Sequence, residues 1–91
     1  MTPETQRQAL RRLKIIKGQV AALEKQIEED RYYIDILDLS LSIQRALRSL
    51  DGLVMEGHLR THVVEMMQGG KEDRAVSELL RIYRLQGPAE G

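Results

Sequence analysis

Ninety-one residues with no cysteine, tryptophan or phenylalanine leave room for one small domain, and exclude a disulfide framework, a cysteine nucleophile and a thiolate ligand. Fourteen basic and fourteen acidic residues cancel, so total charge alone argues against a generic nucleic-acid binder. Leu, Ile, Val and Met carry the apolar content beside three Tyr, which favours Leu-rich helix packing over a sheet.

Thr2-Pro3-Glu4 reads as a helix start, with Thr as N-cap, Pro at the first helical position and an acid in the first turn. Leu10, Leu13, Ile16, Val20, Leu23 and Ile27 follow at three- and four-residue steps, predicting an amphipathic helix to about residue 28 with a narrow, coiled-coil-like seam. Glu28-Glu29-Asp30-Arg31 interrupts that pattern and predicts an exposed turn, with Asp30 available to cap a second helix.

The second apolar stripe comprises Ile36, Ile43, Leu47, Leu50, Val54, Val63 and Met66, and Leu37, Leu39, Leu41, Leu53 and Leu59 widen it. A helix of more than about 30 residues that is apolar on two sides cannot satisfy itself within one small monomer, so a second subunit is expected to cover part of it. Gly52 and Gly57 inside this helix imply either a close approach or a bend. Gly69-Gly70 ends the helix, and a third runs from about residue 72 to 85, closed by Gly87-Pro88. Residues 1–87 are thus read as a single helical domain and 88–91 as a disordered tail. Cysteine-free composition fits a reducing cytosol, no signal peptide is recognised, and no run approaches the roughly 18 apolar residues of a membrane helix. A soluble cytoplasmic protein is expected.

Charge is segmental. Residues 1–18 hold Arg7, Arg11, Arg12, Lys14 and Lys17 against Glu4, whereas residues 24–38 hold six acids against Lys25 and Arg31. Arg7, Arg11 and Lys14 recur at helical spacing, and Arg45 and Arg48 form a smaller pair. Phosphate contacts need long cationic side chains on one face, although a solvated helix face has the same pattern. Shape readout and direct base readout stay equally open. The only two histidines, in His58-Leu59-Arg60-Thr61-His62, stand four apart, so on a helix both imidazoles share a face and can hold a borderline metal ion. No enzyme signature is present.

Several of these segments carry a resemblance. The chain is similar to the copper-sensitive operon repressors and their nickel, cobalt and formaldehyde-sensing relatives (the CsoR/RcnR/FrmR type). The likeness extends from about residue 10 to about residue 85. Its carriers are Arg12-Leu13-Lys14, Lys17-Gly18-Gln19-Val20 and the stretch Glu29-Asp30-Arg31-Tyr32-Tyr33-Ile34-Asp35-Ile36-Leu37. Ile43-Gln44-Arg45-Ala46-Leu47 and Gly57-His58-Leu59-Arg60-Thr61-His62-Val63 complete them.

The resemblance implies an all-α, three-helix protomer, an antiparallel four-helix-bundle dimer and a disc-shaped dimer-of-dimers tetramer. Such a repressor binds operator DNA in the apo form and is released by a metal ion. The implied metal positions are His58, His62 and, across the subunit interface, Tyr33, with Tyr32 and Glu78 as residues that orient the ligands. The implied DNA contacts are Arg7, Arg11, Arg12, Lys14, Lys17, Arg45 and Arg48. Tyr33 stands where copper sensors carry cysteine, and it is either a ligand or an aromatic filling that space. Glu78 is either an orienting residue or a solvated acid. Two imidazoles with a phenolate, carboxylate or water suit Cu(II), Ni(II), Co(II) or Zn(II) better than Cu(I), so copper, nickel, cobalt or zinc is expected without a choice among them. Two rivals stay open: a repressor of the same fold that has lost metal sensing, and a helical protein–protein interaction module.

Overall fold

The computed structural model describes residues 1–85, and all its regular structure is helical. Helices α1 (Pro3–Glu28), α2 (Tyr33–His58), α3 (Val64–Gln68) and α4 (Glu72–Leu85) follow in chain order, with a π-helical turn, Leu59–Val63, between α2 and α3. The Gly87-Pro88 stop and the expected tail at 88–91 lie outside the described residues. No described helix is long and apolar enough to cross a membrane. The chain divides into two compact units, residues 1–57 and the part from His58 onward.

In the first unit α1 starts as its sequence dictates. Thr2 has extended backbone, its Oγ1 accepts from the Thr5 amide at 3.2 Å, and Pro3 occupies the first turn, where its missing N–H costs nothing. The end of α1 corrects the reading of Asp30. It does not cap the second helix; it stands just past the C-cap Glu29 with a left-handed φ of 54°. The Arg31 amide donates to Gln26 O at 3.0 Å and the Asp30 amide to Ile27 O at 3.1 Å. This pair of bonds is a Schellman closure, which needs one left-handed residue, and Asp tolerates that conformation better than most. Helix α2 instead begins from Tyr32, whose carbonyl accepts the amides of Asp35 and Ile36 at 3.0 and 3.2 Å.

α1 and α2 form an antiparallel hairpin tied at two levels. Arg12 on α1 bonds Ser49 on α2, and a Cβ built at Gly57 would lie 3.3 Å from Thr5 Cγ2. Gly57 therefore serves close approach. Gly52 faces open space, since a Cβ there meets nothing within 4 Å. Ile16 and Ile43 form the buried centre of this unit. The rest of the seam differs from the expected stripe. Leu10, Leu13, Val20 and Ile27 are exposed, while Ala9, Gln19, Leu23 and Gln26 are partly buried. The hairpin uses an edge of the apolar stripe and leaves the remainder uncovered within this chain.

In the second unit the π turn leads into α3, which ends at Gly69-Gly70 as the sequence predicts. Gly70 has φ 77°, the Lys71 amide reaches Met66 O at 2.6 Å, and the Gly70 amide reaches Met67 O at 3.3 Å. A second Schellman closure thus occupies the position where glycine is needed most. Glu72 and Asp73 open α4, where acids complement the exposed N–H groups of a helix start. Val63 and Ala75 are the buried centre of this unit.

Candidate metal site and nucleic-acid interface

The histidine pair sits where regular α geometry stops. His58 is the last residue of α2, and His62 lies in the π-helical turn that succeeds it. Turns of this kind insert a residue into a helix and concentrate at functional sites. Neither a glycine nor a proline inside 59–63 announces this one. The two rings stay neighbours, with centroids 5.7 Å apart and planes inclined by 36°.

α4 supplies an acid to the pair. Glu78 Oε1 lies 3.0 Å from His58 Nε2, with both side chains about a third exposed. Because an ionised carboxylate can only accept, this contact puts the imidazole proton on Nε2 and leaves Nδ1 with its lone pair. The other Glu78 oxygen is 3.5 Å from Arg74 Nε, one turn earlier on α4. Sequence reasoning missed Arg74. Its i, i+4 relation to Glu78 is a readable signal, but the spacing alone does not connect that pair to the histidines.

Among the described residues, no set of three or more His, Asp or Glu side chains converges closely enough to hold a metal ion. The donor set also lacks sulfur of the thiolate kind, because the chain has no cysteine. Two imidazole nitrogens fit a borderline divalent ion and do not fit a thiolate-held Cu(I) centre. Tyr32 and Tyr33 lie at the start of α2 in the first unit, and Tyr33 is 81% exposed. The chain itself brings no histidine to either tyrosine within that unit.

The basic residues expected to meet DNA all lie in the first unit, on two helices. Arg7, Arg11, Lys14 and Lys17 are exposed along α1, and Arg45 and Arg48 are exposed along α2. Arg7 is paired with Glu4, whose other oxygen accepts from Gln8 Nε2 at 2.9 Å. Arg12 differs from the others. Its Nη1 donates to Ser49 Oγ at 2.7 Å and to Ser49 O at 3.1 Å, a bond between helices that spacing along α1 could not disclose.

The cations expected to meet DNA thus lie on the first helical unit and the histidine pair on the second. The profile of the family described as metal-sensitive transcriptional repressor matches residues 5–84, and the chain belongs to that family. Over 77 residues it is 34% identical to the copper-sensing transcriptional repressor CsoR of Bacillus subtilis (strain 168), covering 85% of this chain and 76% of that protein. It is 35% identical over 60 residues to the copper-sensing transcriptional repressor RicR of Mycobacterium tuberculosis (strain ATCC 25618 / H37Rv). That match covers 66% of this chain and 62% of RicR, less than two thirds of its length. The crystal structure of the copper-sensing repressor CsoR with Cu(I) from Geobacillus thermodenitrificans NG80-2 is similar with a TM-score of 0.90 at 32% identity. That likeness covers 97% of this chain and 92% of the other. The fold is all-α, as the sequence predicted, and the family is one of repressors and not of enzymes.

Proposed function

We propose that this metal-sensitive repressor holds operator DNA in the apo form and releases it when an ion is bound at His58 and His62. The observation that carries the metal half is the 3.0 Å contact between Glu78 and His58. It fixes which imidazole nitrogen keeps its lone pair, and such outer hydrogen bonds characterise histidines that ligate metals. A bound ion would tie together two side chains at the π turn. Tyr33 of a second subunit is the proposed third donor, with Tyr32 beside it, because no group of three or more His, Asp or Glu converges among the described residues. Arg7, Arg11, Lys14, Lys17, Arg45 and Arg48 supply phosphate contacts, while Arg12, beside them on α1, is engaged by Ser49.

Self-association supports both halves. Leu10, Leu13, Val20 and Ile27 on α1 and Ile34, Leu37 and Leu41 on α2 are exposed in a single chain. Burying one such side chain is worth roughly 1.5–3 kcal/mol, so a copy that covers several of them associates firmly. The proposed assembly is a homodimer that pairs into a homotetramer, which also repeats the basic patch across a longer surface. The place of action is the cytoplasm, where operator DNA lies.

Copper, nickel, cobalt and zinc are the candidate ions; the names of CsoR and RicR say copper of those proteins. Calorimetric titration with Ni(II), Zn(II), Co(II) and Cu(II) tests the site. The wild-type chain is expected to bind at least one of them, and His62→Ala is expected to lose that binding. If wild type and His62→Ala give the same null titration for every ion, metal sensing has been lost and a repressor answering another signal is the better reading.

A further inference from the structure

We propose that Arg12 is a positioning residue for DNA binding: it fixes the register of α1 against α2, and so the spacing between their basic side chains, instead of holding a phosphate itself. The inference rests on the proposed operator binding. One guanidinium nitrogen, Nη1, donates both to Ser49 Oγ at 2.7 Å and to the Ser49 carbonyl at 3.1 Å. The hydroxyl can rotate, but the carbonyl is part of the α2 backbone. Two bonds from one planar group therefore define both the distance and the direction of approach.

The sequence around this contact gives it a functional meaning. Arg11 and Lys14 flank Arg12 on α1, and Arg48 and Arg45 precede Ser49 by one and four residues on α2. The bond therefore joins the two basic groups at the level where both are present. A second fixed point lies about two turns away, where Thr5 rests against Gly57. Seven residues separate Thr5 from Arg12 and eight separate Ser49 from Gly57, so the two points together resist both sliding and rotation of α1 on α2.

Phosphates present a fixed lattice of charge, and contacts to them set register and orientation. Cations on two helices match that lattice only if the helices hold a constant relation.

The test is a double-mutant cycle on DNA affinity. Wild type, Ser49→Ala, Arg12→Gln and the double variant are titrated by fluorescence anisotropy against DNA from upstream of the chain's own gene, at several salt concentrations. Measurements are made where circular dichroism shows every variant fully helical. Alanine favours helix more than serine does, so Ser49→Ala keeps α2 intact. Expected is a loss of roughly five- to tenfold for each single variant, no further loss in the double, and an unchanged slope of log K against log salt. The proposal is overturned if Ser49→Ala binds like wild type, whether or not Arg12→Gln is weakened. A slope reduced by about one in Arg12→Gln alone would make Arg12 a phosphate ligand and overturn it too. Lower melting temperatures with undiminished affinity would make the clamp merely structural and overturn it equally. Failure of the wild type to bind DNA at low salt overturns the operator reading itself, and this proposal with it.

Discussion

His58 shows how one contact changes the meaning of a residue. Spacing of four puts it beside His62, and the rings are neighbours at 5.7 Å. That much is legible because helical periodicity is local. Its bond to Glu78 spans 20 residues and two helices, and no local pattern contains it. Only the family resemblance marks Glu78 in the sequence. Removing the carboxylate would free the ring to adopt either tautomer and to turn about its own axis. Glu78→Ala is accordingly expected to weaken ion binding roughly 10- to 100-fold in the same calorimetric titration, while leaving the helix content by circular dichroism unchanged. An affinity equal to wild type would show that Glu78 is only a solvated partner of Arg74.

Helix boundaries divide into those that sequence reveals and those that it hides. Thr2-Pro3 starts α1 and Gly69-Gly70 ends α3, because these residue types suit few other conformations. Asp30 is legible as a turn residue but ambiguous in role, since aspartate serves both an N-cap and a left-handed C-terminal position. The structure gives it the second role, at φ 54°. Two substitutions separate the cases. Asp30→Gly relieves the left-handed penalty and is expected to stabilise the folded chain by about 0.5 kcal/mol, after the greater freedom of glycine in the unfolded chain is subtracted. Gly70→Ala places a Cβ at φ 77° and is expected to cost about 1 kcal/mol. Thermal melting at equal protein concentration reads both, as opposite shifts of roughly 2–8 °C. Stabilisation by Gly70→Ala, or clear destabilisation by Asp30→Gly, would contradict the two closures. The π turn at Leu59–Val63 is not legible at all, because its residues are ordinary helix residues and no residue type marks the widened turn.

At the scale of the molecule, periodicity predicted the all-α class, the long second helix and its excess apolar surface. It could not say which part of the stripe each neighbour takes. Within one chain only Ile16, Ile43, Val63 and Ala75 are buried among the described residues. A small chain with so little core and so many exposed Leu and Ile side chains is expected to gain stability from association. The basic patch likewise depends on assembly, because the cations of one hairpin are few and zero net charge provides no general attraction to DNA. Metal response then requires the assembled repressor to have two states that differ in affinity both for the ion and for DNA, and the two differences are linked. The central claim is tested most directly by the affinity of the full chain for DNA from upstream of its own gene, measured by anisotropy in chelator and again with the ion that calorimetry selects. Tight, salt-sensitive binding in chelator and a loss of roughly 5- to 150-fold with the ion, absent in His58→Ala, is the predicted result. Equal affinity with and without the ion, or no binding at low salt, would contradict it.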